Sequence, residues 1–144
     1  MRVIFEKVEK KEQEEAFIRA VEKDSTIQNV IELLENGSDT IPVIKDSSTV
    51  MCKVNAIYYI ESVDKRTYIY TKDSCYETKL RLYELEDRLG PFFARCSKAM
   101  IVNLRKIKSV SSEFSGRMNA ELLNGEQVII ARNYVKDIKR RLDI

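Results

Sequence analysis

Three short basic clusters hold the residue types best suited to meeting a polyanion: Lys65-Arg66-Thr67, Arg95 to Lys98, and Arg132-Asn133. Each lies where turn-like sequence meets a run of β-formers or opens a helical pattern. Binding groups tend to sit on such segments, carried by a rigid sheet. Arginine there can read guanine through two parallel hydrogen bonds, and lysine supplies a compact positive charge for phosphate. Arg132-Asn133 also opens a helical pattern, whose free N–H groups favour phosphate. The bland alternative for each cluster is a solvated turn.

Catalysis is poorly supported. The chain has no histidine, so it lacks the commonest general base and the usual nitrogen ligand for zinc. Cys96 would depend on Arg95 or Lys98 to lower its pKa, and no third group is placed to orient such a pair. Ser97 is followed three residues later by Met100, not by a lysine. The carboxylates are scattered, and the four glycines all read as turns, which leaves no phosphate-cradling loop. No enzymatic activity, metal, cofactor or small-molecule substrate is expected.

The 144 residues suit one domain with an extension, and 44% hydrophobic residues are enough for a real core. No apolar run approaches the ~18 residues of a membrane span. The charged N-terminus has no signal-peptide core. Cys52, Cys75 and Cys96 are odd in number and widely spaced, which favours reduced thiols in the cytoplasm. Net charge is uneven. Residues 1–47 carry 7 Lys/Arg against 11 Asp/Glu, a net of −4, and residues 48–144 carry 18 against 12, a net of +6. A basic domain behind an acidic extension suggests a polyanion partner for the larger part.

The elements that must position the basic clusters follow from periodicity. Val3 to Val8 and Ala16 to Val21 read as two short strands flanking the charged run Glu9 to Glu15. Ile27, Val30, Ile31 and Leu34 form the apolar stripe of a helix over Ser25 to Asn36, with Ser25 and Gln28 as a capping box and Asn36-Gly37 as the stop. The loop 37–40 is a domain boundary. From Ile41 the period becomes two, and strands are expected around Ile41–Ile44, Val50–Val54, Ile57–Val63, Thr67–Thr71 and Cys75–Leu80. Leu82, Leu85 and Leu89 mark a short helix ended by Gly90-Pro91. Ala99 to Val102, closed by Asn103, reads as a buried strand with Arg105 and Lys106 beyond it. Asn124-Gly125 is a strong hairpin signal between two further strands. Asn133 caps a last helix in which Val135, Ile138 and Leu142 share a face.

Taken in order, YYIES (Tyr58 to Ser62), the YELE helix before Gly90, FFARCSKAMIVNLRKI (Phe92 to Ile107), the NGEQVII hairpin and ARNYVKDIKRRL (Ala131 to Leu142) resemble a LytTR DNA-binding domain. The resemblance spans nearly all of the chain from Ile41 onward. It implies a mostly β, elongated sandwich with short helices, here preceded by a small β-β-α extension over residues 1–40. It also implies loops that enter successive major grooves of double-stranded DNA. The base-contacting positions of the family fall on Thr67, Lys98 and Arg132. Lys65, Arg66, Arg95 and Ser97 neighbour them, and Arg105 and Lys106 add phosphate contacts. Asn133 stands beside Arg132, and Asn103 holds a strand end or turn. Where many relatives carry His-Arg-Ser or His-Asn-Ser, this chain reads Ser97-Lys98-Ala99, which replaces a planar fork with a point charge.

Many relatives carry a receiver domain in front. Residues 1–40 are too short for one, so the chain is expected to act as a stand-alone transcription regulator. Relatives bind paired repeats as dimers, and the apolar stripe of the extension either packs on the sandwich or makes the homodimer contact. Cys96 reads either as a small apolar filler or as a thiol whose oxidation disturbs binding. The competing function is a protein-interaction module that uses exposed sheet edges.

Overall fold

Alternating apolar and polar residues from Ile41 onward produce strands in the computed structural model, which describes residues 1–36 and 40–144. Seven strands form one antiparallel sheet: β1 (Thr40–Lys45), β2 (Ser48–Lys53), β3 (Tyr59–Val63), β4 (Arg66–Tyr70), β5 (Cys75–Thr78), β6 (Phe93–Ser97) and β7 (Met100–Asn103). Their order across the sheet is β2-β1-β5-β4-β3-β7-β6. A second sheet, ordered β10-β9-β8, contains β8 (Ile107–Ser112), β9 (Met118–Leu122) and β10 (Gln127–Ile130). Three helices, α1 (Ser25–Asn36), α2 (Leu82–Arg88) and α3 (Arg132–Leu142), complete the described elements. The mostly β architecture with short helices expected from the sequence is present.

The β3–β7–β6 side of the large sheet is covered on both faces, and period-two alternation says which residue goes where. Ile101 of β7 and Phe93 of β6 join Ile60, Ile69 and the helix α2 in one core. Their neighbours Val102, Ala94 and Cys96 join the small sheet and α3 in the other. Leu82, Leu85 and Leu89 are all buried, as their spacing predicts. Each contributes roughly 1.5–3 kcal/mol by leaving water. Asn103 is buried at the end of β7. Its Nδ2 donates to the Ile57 carbonyl at 2.8 Å and its Oδ1 accepts from the Arg105 N–H at 3.0 Å, so it holds strand end and turn together.

Two hairpins turn on residue pairs that both have positive φ, Asp46 (48°) with Ser47 (66°) and Asp64 (50°) with Lys65 (66°). Such turns match the right-handed twist of the strands they join. The Asn124-Gly125 hairpin forms as expected, with Gly125 at φ 88°.

The N-terminal region departs from expectation. Neither strand expected within residues 1–24 forms; the segment contains only a 3-10 turn at Lys11–Gln13. Val3 and Phe5 are 86% and 89% exposed, and Phe17 is 80% exposed. A lone strand has no ladder to satisfy its backbone groups and no sheet face to bury its side chains. The helix of the expected β-β-α unit does form. Its cap is Asp24 rather than Ser25, because the Asp24 carboxylate accepts the Ile27 N–H at 2.9 Å while Gln28 turns to Glu32. The expected stop at Gly37 and the 37–40 boundary loop fall largely outside the described residues.

The last helix begins two residues earlier than expected. Ala131 occupies the cap position, with no side-chain cap bond, and Asn133 lies inside the first turn. Val135 and Leu142 pack around the buried Ile138, and Arg141 donates to the carbonyls of Pro91 and Phe93, each at 3.2 Å. No helix among the described residues is long and apolar enough to cross a membrane.

Candidate nucleic-acid interface

The order of strands decides which basic clusters meet. β3 and β7 are antiparallel neighbours, with Tyr59 opposite Val102 and Glu61 opposite Met100. The β3–β4 tip at Asp64-Lys65 and the β6–β7 tip at Lys98-Ala99 therefore lie at the same end of the large sheet. The Ser62 N–H donates to the Ala99 carbonyl at 2.8 Å and ties them together. Strands stand about 4.8 Å apart, so two hairpins on successive strand pairs present their tips ~10 Å apart. The third cluster joins from the second layer. The Ala131 N–H donates to the Cys96 carbonyl at 2.7 Å, which sets Arg132 beside Ser97.

The β8–β9 turn completes this end. Gly116 has a φ of 85°, and a Cβ added to it would lie 2.9 Å from Cδ of Arg132. The absent side chain thus leaves a path for the arginine stem. Arg117 follows in the same turn, held by Glu113 at 3.2 Å and by the Ser115 hydroxyl at 3.1 Å. It was missed in the sequence, where nothing local distinguishes it; only the fold brings it to this end. Lys65, Lys98 and Arg132 are exposed, and among the described residues none of the three enters an ion pair. Arg66 faces Glu77 at 4.0 Å, mostly in solvent.

Other expected residues take different places. Arg95 is a strand residue, not a loop cation; it pairs with Glu86 of α2, and its Nη1 donates to the Lys98 carbonyl at 2.5 Å. Ser97 shapes the tip, its hydroxyl accepting the Ala99 N–H at 3.2 Å. Thr67 is only 2% exposed within β4, which corrects its expected role as a base contact: a side chain with so little surface cannot reach a base edge. Asn133 is exposed beside Arg132.

Arg105 and Lys106 are not brought to the basic end. They follow Asn103, with the four residues of β7, roughly 13 Å of strand, between them and Lys98. Arg105 pairs with Glu35 of α1 at 3.1 Å and stacks over the Phe92 ring at 3.6 Å; Lys106 lies over the Tyr58 ring at 5.1 Å.

Lys65 holds a conformation that favours glycine and still places a cation at a tip. Left-handed backbone costs an L-residue about 1–2 kcal/mol. Lys65→Gly should raise stability by up to about 1 kcal/mol in urea melts and at the same time weaken DNA binding, lowering the salt slope by about one. A variant with unchanged affinity would show that Lys65 touches no phosphate.

Cys96 is fully buried, and burial pushes its thiol up to about 12. It is the apolar filler of the two readings, because a buried neutral thiol is neither accessible nor nucleophilic. Cys52 is also buried and raised by burial, whereas Cys75 is exposed. Alkylation of native protein should therefore modify Cys75 alone, with Cys52 and Cys96 reacting after denaturation, as intact-mass spectra will show. Since burial raises the Cys96 thiol, its contribution to stability is complete below the ordinary thiol pKa near 8.5 and is lost as pH rises toward 12.

Fold and site together define a mostly β domain that carries its cations on hairpin tips and a helix start. No two α-helices follow one another without intervening strands, so the described residues contain no helix-turn-helix. The family model of the LytTr DNA-binding domain matches residues 47–143. The chain belongs to the LytTR family. It is 29% identical over 109 residues to the transcriptional regulatory protein YpdB of Escherichia coli K12, covering 74% of this chain and 45% of YpdB. The chain thus spans less than half the length of that relative. An uncharacterized HTH-type transcriptional regulator of Staphylococcus aureus NCTC 8325 is 30% identical over 129 residues, covering 88% of each chain. The LytTr DNA-binding domain of a Bacillus cereus response regulator superposes with a TM-score of 0.70 at 24% identity, covering 75% of this chain and all of that one.

Proposed function

We propose that this protein is a non-enzymatic, sequence-specific transcription regulator that sets its basic tips into successive major grooves of double-stranded DNA. The observation that carries this reading is the meeting at one end of the fold of Lys65, Lys98 and Arg132, three exposed cations that have no acidic partner among the described residues. Arg132 reads base edges and Lys98 meets phosphate or a base edge; Lys65, Arg66 and Arg117 supply phosphate contacts. About six neutralised phosphates give a log–log salt slope near −5. Selection of bound duplexes from a random pool tests the reading. Enrichment of two short repeats about one helical turn apart is the expected result, and no enrichment by folded protein at low salt would overturn it.

Residues 41–144 form the DNA-binding part in this reading, and residues 1–40 make the homodimer contact. Val3, Phe5 and Phe17 are apolar and largely uncovered, and Leu33 and Leu34 of α1 remain about half exposed. Such a set of apolar side chains marks an association surface. Phe5→Ser with Phe17→Ser in the full chain should shift sedimentation from dimer to monomer, and a dimer that persists would remove these residues from the contact.

One observation favours a second reading. The edge strand β2 exposes Val50 and Met51 at 41% and 52%, a surface suited to adding a partner's strand. An interaction module of that kind has no reason to be retained on heparin in a salt-sensitive way.

A further inference from the structure

The helix α2 reaches both basic tips, one from its cap residue and the other through an ion pair on its exposed face. Leu82, Leu85 and Leu89 anchor it to the large sheet. From its cap position Arg81 extends Nη1 to the Lys65 carbonyl at 2.6 Å, the backbone of the β3–β4 tip. From its exposed face Glu86 holds Arg95, and Arg95 in turn donates to the Lys98 carbonyl, the backbone of the β6–β7 tip. The notch between the tips is lined by Ser62, Thr67, Arg81, Tyr83, Arg95 and Lys98. Both guanidiniums thus spend donors on main-chain oxygens of the two turns.

We infer that α2 is a splint that sets the spacing of the two tips, with Arg81, Glu86 and Arg95 as positioning residues for the DNA-contacting lysines. The inference rests on the DNA-binding reading above for its consequence, but not for its mechanics. A base-reading group is effective only when held within about 0.5 Å of its working position by surrounding bonds. Hairpin tips held by their own turns alone would not achieve this. A carbonyl fixed by a charged donor on an anchored helix is held by one of the stronger hydrogen bonds available. Glu86 adds a point that charge alone does not explain: it places a carboxylate close to a surface proposed to meet phosphate.

That point supplies the test. Glu86→Gln removes a negative charge and frees Arg95; simple electrostatics then predicts tighter binding to every DNA. The splint predicts a roughly five- to tenfold fall in the ratio of specific to random-sequence affinity, with random binding unchanged or tighter. Arg81→Lys keeps its charge but loses the fork, and should lower the ratio without changing the salt slope. Hydrogen exchange on DNA-free protein provides the independent readout. In both variants the Ser62 and Ala99 amides, which secure the tips, should exchange faster, while core amides of β3 and β9 stay protected and report an intact fold. Unchanged exchange at Ser62 and Ala99 overturns the splint. Faster exchange with an unchanged affinity ratio overturns its role in recognition. A wild-type ratio near one would instead defeat the DNA-reading proposal, with the exchange data still deciding the splint.

Discussion

Arg132→Ala is expected to cost about 1–3 kcal/mol of binding to the selected operator and to relax preference at one base position. Three features support so large an effect from one side chain. Arg132 opens α3 beside the tip formed by Ser97 and Lys98, through the bond from Ala131 to Cys96. Its stem runs over Gly116, where any side chain would crowd it. Among the described residues it has no acidic partner to compete with DNA. Binding measured on operator and on random duplex separates the possibilities. Loss confined to the operator marks base reading, and equal loss on both would reduce Arg132 to a phosphate contact.

Ile138→Ala should produce the largest loss of stability, about 2–5 kcal/mol. Ile138 has no exposed surface and is the one residue of α3 that is fully buried. It belongs to the core cluster formed by Ala94 and Cys96 of β6, Val102 of β7, and Met118, Leu122, Val128 and Ile130 of the small sheet. Against a typical total of 5–15 kcal/mol, the loss would remove a large share of the margin. Thermal melts should fall by roughly 5–20 °C. Because Ile138 holds the helix that begins at Arg132, operator affinity should weaken even at temperatures where the variant remains folded. A melt shifted by less than 2 °C would mean that the site collapses around the smaller side chain, and the packing account would be wrong.

Much of the DNA-binding part was legible because its signals are local. Leu82, Leu85 and Leu89 needed only helical spacing, and all three are buried. Asn124-Gly125 needed only turn chemistry. Asn103 was legible as a polar residue closing an apolar run, and its side chain bonds both sides of that junction. The failures share a cause. Val3, Phe5 and Val8 have the composition of a strand, but a strand needs a partner, and composition does not say whether one exists. Ser25 looked like a cap, yet Asp24, one residue earlier, places its carboxylate correctly. Thr67 carried a family position but faces inward in β4.

The sequence by itself determined the element types from Ile41 onward, the mostly β class, the family and the identity of the three basic clusters, because periodicity, turn residues and short motifs act over a few residues. Only the tertiary structure decided which cations lie together. Lys65, Lys98 and Arg132 converge because Ser62 meets Ala99 and Cys96 meets Ala131, pairings that close loops of more than thirty residues. Arg105 and Lys106, near Lys98 in the chain, are carried away by the four residues of β7. Arg95, expected beside the DNA contacts, is drawn into an ion pair because α2 sets Glu86 against it. A strand reverses direction at each hairpin, so nearness along the chain does not say which end of a sheet a charge will occupy; strand order does.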